Sequence, residues 1–313
     1  MSQYIAVRLA ALVPVLLVVG VTAFLLLHLI PGDPASVILG PDAGAAQVEQ
    51  LRHALGLDRP LYVQLVLWFG RLLHGNLGES IFLREAVTRS IWEHLGPTVG
   101  LTVLAETLAI AVAIPSGVLA AWKRNSRFDQ MFMTVVLLGV SIPSFWMGLN
   151  LIAVFAVAAR WLPVAGYEPL LSGVGPWLRH LVLPAVALAF TQAGLIARMA
   201  RDSTIDVLDE DYIRTARGKG VGEAPILVKH ALRNALIPTV TVVGTSLANL
   251  LSGAVVVESV FVMPGIGNLV IQSISRRDYP VIEGVILLVA VVYVLVNLTV
   301  DLLYAVIDPR IRY

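Results

Sequence analysis

The stretch from Leu9 to Ile30 contains no Asp, Glu, Lys or Arg and stops at Pro31-Gly32-Asp33-Pro34. No feature constrains the fold more, because about 20 consecutive apolar residues are the length of one helix across a bilayer core. Arg8 precedes the run as it would in a signal peptide. The run is longer than a signal-peptide core, however, and no small-residue cleavage site follows it, so it is expected to remain as a span. Five further runs have the same character: residues 98–122, 131–158, 181–197, 236–257 and 284–307. The fourth is short and extends naturally backwards through Trp177 and Leu178.

The whole composition agrees with this reading. Hydrophobic residues make up 58% of the 313 and charged residues only 14%, with a mean hydropathy of +0.83. Too few polar side chains exist to cover a soluble surface of this size. A net charge of +1 argues against a nucleic-acid binder, and the absence of cysteine excludes disulfides and thiolate sites. The expected class is an all-α, polytopic membrane protein with six transmembrane helices.

Orientation follows from Lys and Arg in the short connections. One side collects Arg8, Lys123, Arg124, Arg127, Arg198, Arg201, Arg214, Arg217, Lys219, Lys229, Arg233, Arg310 and Arg312; the other holds only Arg160, Arg179, Arg276 and Arg277. The long first loop also carries arginines, but long loops translocate largely regardless of charge. N- and C-termini are therefore expected in the cytoplasm. The chain divides into residues 1–30 (N-terminus and first span), 31–97 (a long extracytoplasmic loop) and 98–313 (a five-helix core). Within the outer loop, Val48, Leu51 and Leu55, then Leu61, Leu65, Trp68 and Leu72, recur at helix spacing, with Pro60 suited to the first turn of the second helix.

The inner loop, residues 198–237, carries more pattern than a connection requires. Ser203 reads as an N-cap with Asp206 in the first turn; Ile205, Leu208, Tyr212 and Ala216 share a face, and Glu210 can pair with Arg214. Gly218, Gly220 and Gly222 end that helix, and Pro225 opens a second one through Ala235. This helix, glycine hinge and helix fits both a projecting docking element and a connection laid on the membrane surface.

In the span 236–257, Thr241, Thr245, Asn249 and Ser252/Gly253 fall on one face. Such a stripe meets protein or water rather than lipid, as helix packing or as the lining of a pathway. Glu106 and Asp301 are the deep ionisable groups, with pairing inside the bundle expected; Glu258 and Glu283 are expected at the outer interface. No phosphate-binding loop is present, since Gly218-Lys219-Gly220 lacks the following hydroxyl residue and the earlier glycine. No H-E-x-x-H or G-x-S-x-G occurs, and Gly265-Ile266-Gly267 reads as turn chemistry after Pro264. His53, His74 and His94 show no ligand-like spacing.

The run Tyr212-Ile213-Arg214-Thr215-Ala216-Arg217-Gly218-Lys219-Gly220, followed by Lys229-His230-Ala231-Leu232-Arg233-Asn234-Ala235-Leu236-Ile237-Pro238, resembles the cytoplasmic loop of binding-protein-dependent ABC importer permeases. More narrowly it is similar to the first permease subunit of the dipeptide/oligopeptide/nickel group. Arg214 or Thr215 stands where the superfamily pattern Glu-Ala-Ala has its acid, and the spacer from Gly220 to Pro238 is longer; both departures fit that subgroup. The resemblance continues in His28-Leu29-Ile30-Pro31-Gly32-Asp33-Pro34, Leu55-Gly56-Leu57-Asp58-Arg59-Pro60, Gly75-Asn76-Leu77-Gly78, Pro264-Gly265-Ile266-Gly267, Arg277-Asp278-Tyr279-Pro280 and the ending Asp308-Pro309-Arg310.

The resemblance implies a type I importer permease in a bacterial inner membrane. It implies a homologous second permease subunit, two ATP-binding subunits and an extracytoplasmic solute-binding protein as partners, with lipid around the chain and no nucleic acid. No cofactor is implied in this chain, because ATP and Mg belong to the partner subunits. The coupling loop would comprise Arg214, Thr215, Ala216, Arg217, Gly218, Lys219, Gly220, Val221, Gly222 and Glu223. Peptides are the implied cargo, with nickel or another metal chelate and glutathione as alternatives. An ion-coupled secondary transporter is the rival reading, and would require a chain of buried ionisable groups.

Overall fold

The computed structural model describes residues 2–29, 34–40 and 43–307. Among these, regular structure is helical, apart from one isolated antiparallel bridge between Glu79 and Ala86. The elements in order are α1 (Ser2–Leu29), α2 (Pro34–Leu39), α3 (Ala45–Leu55), α4 (Leu61–Leu73), α5 (Val87–Trp122), α6 (Arg127–Ser141) and α7 (Ser144–Leu151), which continues as a π-helical stretch (Ile152–Ala158). After them come α8 (Val174–Leu208), α9 (Asp211–Gly218), α10 (Glu223–Pro225), a π-helical stretch (Ile226–Ala231), α11 (Leu232–Val260), α12 (Ile266–Arg276) and α13 (Tyr279–Ile307).

Four helices are long and apolar enough to cross a membrane: Val87–Trp122, Val174–Leu208, the continuous Glu223–Val260 and Tyr279–Val300. A fifth is counted if the bent pair α6 and α7 makes one span, and α1 contributes the apolar stretch Leu12–Leu25. The helices start earlier or end later than the apolar runs: the 98–122 run is the second part of α5, and the 181–197 run is the middle of α8. Hydropathy marks only the apolar part of a helix, whereas the backbone ladder continues into polar flanks. The 131–158 run departs more sharply from a single helix. α6 and α7 meet at 102°. Pro143 disfavours helical geometry at the residue before it, and Ile142 accordingly takes φ −88° and ψ 121°.

The helices fall into two compact units, Met1–Leu95 with Leu269–Val294, and Gly96–Asn268 with Leu295–Tyr313. In the first, α4 lies against α1. A side chain at Gly20 would meet the Phe69 ring at 3.0 Å, and Trp68 stacks obliquely on Phe24 at 6.0 Å. Of the face expected from sequence, Leu65, Trp68 and Leu72 are half-buried and Leu61 is exposed. Pro60 is the N-cap of α4 rather than a member of its first turn. The Glu283 carboxylate accepts from Trp68 Nε1 at 2.9 Å. Asp278, buried, accepts from Ser80 Oγ at 2.5 Å and from the backbone amides of Ile81 and Phe82, fixing the turn after the bridge.

The second unit is built around α8, the most enclosed of the spanning helices. Leu101, Ala105, Ala109 and Ala113 form an i,i+4 seam on α5 that joins Leu181, Leu188, Ile196 and Ala197 of α8 and Leu250, Ala254 and Val257 of α11 in one core. Where α6 crosses α8, Gly139 and Gly194 bring the backbones together: Cβ atoms there would lie 3.1 Å from the carbonyls of Phe190 and Val136. Small residues at such crossings supply van der Waals contact where the surrounding lipid gives little hydrophobic drive.

Buried polar groups are stitched between helices. Ser246 on α11 donates to Glu106 on α5 at 2.5 Å, and Gln192 on α8 donates to the Ser246 carbonyl at 3.0 Å. Glu106 thus pairs inside the bundle as expected. Glu258, expected at the outer interface, is completely buried within the protein. Its Oε1 accepts from Thr98 Oγ1 at 2.6 Å, and its Oε2 from the backbone amides of Gly267 (2.8 Å) and Asn268 (3.2 Å). Thr98 Oγ1 in turn accepts from the Ile266 amide at 2.8 Å. A carboxylate therefore caps the N-terminus of α12, where free amides and the helix dipole favour negative charge. The Asp301 side chain, the Ile30-Pro31-Gly32-Asp33 junction and the Asp308-Pro309-Arg310 ending lie outside the described residues.

Candidate coupling segment and polar helix face

The segment after α8 is a small folded element. α8 does not restart at Ser203, as an N-cap there would require; Ser203 and Thr204 are buried within the unbroken helix, and the Thr204 hydroxyl turns back to the Ala200 carbonyl at 2.6 Å. The break comes at Asp209-Glu210, and Glu210 in extended geometry is the N-cap of α9. A cap-like residue followed by an acid is read as a start only when tertiary packing does not carry the helix through it. Here the core of the second unit does.

Ile213, Leu208, Ile226 and Ala231 form a separate buried cluster, with Ala216, Val221 and Leu227 packed on it. This cluster holds α9 against the start of the long α10–α11 helix. At the end of α9, the Gly220 amide donates to the Arg217 carbonyl at 2.9 Å and the Val221 amide to Ala216 at 3.2 Å. That pair of bonds is a Schellman cap, with Gly220 at φ +78° in the left-handed position and Val221 packed near Ala216. Gly218 is helical, and nothing lies within 4 Å of where its Cβ would be; the same open space surrounds Gly220. Gly222 is the N-cap of α10.

Arg217 closes the turn. Its Nε and Nη2 donate to Glu223 Oε1 (2.8 Å) and Oε2 (3.2 Å), a two-pronged ion pair across the glycines. The Glu223 carboxylate raises the guanidinium's affinity for its proton above the ordinary arginine value. Arg214 pairs with Asp211 at 3.2 Å, not with Glu210, because Glu210 stands outside the helix as its cap. Thr215 bonds back to the Asp211 carbonyl at 3.0 Å. Arg214, Thr215, Arg217, Gly218, Lys219, Gly220, Gly222 and Glu223 are exposed, and Ala216 and Val221 are half-buried. The result is a rigid knob with a charged, glycine-bearing tip.

Sequence reasoning missed the ties that hold the knob. Asn234 Nδ2 donates to Tyr212 Oη at 2.8 Å, and Tyr212 Oη to the His230 carbonyl at 3.3 Å. Arg124 reaches Asp209 at 2.7 Å, and Arg201 grips Asp129 with two bonds of 2.6 and 2.8 Å. These partners lie 22, 85 and 72 positions apart, so no local spacing signals them.

On α11, Thr241, Thr245, Asn249 and Ser252 are all exposed on one face of this chain, while Thr239, Gly244, Ser246, Leu250 and Ala254 are buried on the opposite side. Thr245 Oγ1 turns back to the Thr241 and Val242 carbonyls at 3.2 and 2.9 Å. Gly253 sits at the edge of the stripe, half-buried, where a Cβ would lie 3.2 Å from Leu188; its smallness serves the packing on α8.

Residues 113–313 match the binding-protein-dependent transport system inner membrane component, and residues 1–102 match the N-terminal part of the same membrane component. The chain belongs to that family of ABC importer permeases. A relative named for peptide transport in Brucella abortus (strain 2308) is 46% identical over 313 residues, covering 100% of both chains. The dipeptide transport system permease of Alkalihalophilus pseudofirmus is 42% identical over 333 residues, again with full coverage of both. The glutathione transport system permease of Escherichia coli O6:H1 is 44% identical over 313 residues, also with full coverage of both. Among solved structures, a chain of the inward-facing MetNI methionine ABC transporter superposes with a TM-score of 0.58 at 20% identity, covering 71% of this permease and 95% of that chain. That likeness concerns the fold alone. The permease is a multi-pass protein of the bacterial inner membrane.

Proposed function

We propose that this permease is one of two transmembrane subunits enclosing a pathway for di- and oligopeptides delivered by an extracytoplasmic binding protein. The observation that carries the cargo class is full-length similarity above 40% to relatives named for peptide, dipeptide and glutathione transport. Glutathione, itself a tripeptide, falls within the same class. Six spans with both termini in the cytoplasm place the knob at residues 211–223 on the inner side. There it docks on an ATP-binding subunit, one of two that hold the nucleotide and magnesium. The 31–97 loop faces outwards, and residues 98–313 form the permease core.

ATP-driven closure of the two ATPases pushes on the knob, and the rigid elements behind it rock between inward- and outward-open arrangements. Rigidity is what the role demands, and the Schellman cap and the Arg217–Glu223 clamp supply it. The exposed polar face of α11, Thr241, Thr245, Asn249 and Ser252, turns to the partner permease and offers hydrogen bonds to a peptide backbone.

The orientation is tested by single-cysteine labelling in the naturally cysteine-free chain. Gly218→Cys and Ser126→Cys should react with an impermeant thiol reagent only from inside, and Ala45→Cys and Ser172→Cys only from outside. Gly218 suits this use better than Gly220, since it is helical and unobstructed. Labelling of Gly218→Cys from outside would overturn the docking assignment.

The pathway is tested by Asn249→Leu. The exposed amide has no role in the core of this chain, so the complex should assemble while peptide uptake falls by about tenfold or more, the effect of losing one or two hydrogen bonds to a desolvated ligand. Normal uptake would leave the stripe as a packing face only.

A further inference from the structure

We propose that Arg201 is a positioning residue for coupling: its ion pair with Asp129 is the joint that transmits displacement of the knob to α6. This rests on the coupling role proposed above. Arg201 lies on α8, eight residues before Asp209, or about 12 Å along the helix axis. Asp129 lies in the first turn of α6, immediately after the α5–α6 turn.

Arg201 Nε donates to Asp129 Oδ1 at 2.6 Å and Nη2 to Oδ2 at 2.8 Å. Oδ2 also accepts from the Asn125 amide at 3.0 Å, and Asn125 is held at φ +64°. The carboxylate therefore fixes both a partner helix and the conformation of its own turn. The Asp129 side chain is only 6% exposed and Arg201 17%, so water does not compete strongly for the pair.

Two neighbouring features make this a joint rather than an isolated bridge. Arg124, in the same α5–α6 turn, reaches Asp209 at 2.7 Å, at the end of α8 beside the α9 cap. On α5, a Cβ at Gly117 would lie 2.5 Å from the Ala197 carbonyl and 3.1 Å from the Arg201 amide, so the two backbones are in contact there. The end of α5 and the α5–α6 turn are thus bound to roughly the last three turns of α8 by contacts that allow little slip. A push on the knob arrives at α8 and must move α6 with it.

The fork geometry matters as well as the charge. Lysine at position 201 keeps the charge but offers a point donor in place of two parallel bonds. The informative measurement uses the complete complex in proteoliposomes: uptake of radiolabelled di- and tripeptides, ATP hydrolysed in parallel, and stimulation of hydrolysis by the binding protein. With Arg201→Lys the complex should purify intact and retain basal hydrolysis, while ATP consumed per peptide imported rises about tenfold, the factor expected from one lost charged hydrogen bond. Asp129→Asn, which keeps one acceptor oxygen in place, should move the same ratio in the same direction.

A purely structural role would lower yield and both rates together and leave the ratio unchanged. An unchanged ratio in both variants, or failure of both to assemble, overturns the proposal. A separate experiment, chemical cross-linking from Gly218→Cys to the ATPase subunit in the assembled complex, separates this outcome from failure of the docking assignment. A cross-link that forms while the ratio stays unchanged refutes the joint alone, whereas no cross-link in the otherwise unaltered chain refutes the docking itself.

Discussion

Replacing Glu258 with alanine should be the most damaging single truncation in this chain. The carboxylate accepts from Thr98 Oγ1 and from the Gly267 and Asn268 amides, in a site from which solvent is excluded. Alanine leaves those buried donors unpaired at roughly 1–3 kcal/mol each, and the α12 N-terminus without its anion. A loss of at least about 3 kcal/mol is therefore expected, read as a lower level in the membrane and a lower unfolding midpoint of the purified complex. Glu258→Gln should fall between, because its amide oxygen still accepts but its NH2 faces donors. Gly265→Ala and Gly267→Ala should be comparably damaging, since a Cβ at Gly265 would run into the Glu258 carboxylate and one at Gly267 into the Val255 backbone and then the Glu258 carboxylate. The turn before α12 adds strain of its own. Val262 is held at φ +52°, an unfavourable region for a β-branched residue, and the Met263 amide is bonded to the Glu258 carbonyl at 2.8 Å. A wild-type midpoint for Glu258→Ala would mean that the cap does not hold α12.

Gly220→Val is expected to insert normally and to uncouple transport. The reason is backbone conformation rather than crowding, because nothing lies within 4 Å of the added Cβ. Left-handed geometry costs an L residue about 1–2 kcal/mol, more for a β-branched one, so the Schellman cap opens and the Arg217–Glu223 clamp loses its frame. Substrate-stimulated hydrolysis and uptake should fall by about tenfold or more, while basal hydrolysis by the ATPase subunits persists. Gly220→Asn, which tolerates positive φ, should recover most of the loss. Gly218→Val separates the two roles of glycine: its backbone is already helical, so any defect there reports contact with the partner surface. Wild-type coupling in Gly220→Val would show that coupling does not depend on the left-handed cap at the end of α9.

The extent to which this architecture can be read from sequence follows from the range of the interactions. Apolar runs mark α5, α8, α11 and α13 because lipid imposes a local, one-dimensional constraint. They do not mark helix ends, so Val87–Trp122 is longer than the run that announces it, and Pro143 breaks a run that looks continuous. The glycines between α9 and α10 announce a turn, and Gly220 fulfils it. The role of Glu258 was hidden because its partners, at positions 98, 267 and 268, come together only in the fold, and an acid near a helix end looks interfacial. Arg201, seen from sequence, was one more positive residue on the charged side; its partner lies 72 positions away. The stripe on α11 is legible as polarity at helical spacing, and Thr241, Thr245, Asn249 and Ser252 are exposed in the single chain.

The most direct test is purification through a tag on this permease, followed by reconstitution with the binding protein. A second permease and two ATP-binding subunits should co-purify, and the proteoliposomes should import radiolabelled di- and tripeptides only with ATP and the binding protein. The chain emerging alone, with import driven by a proton or sodium gradient and indifferent to ATP, would contradict the assignment.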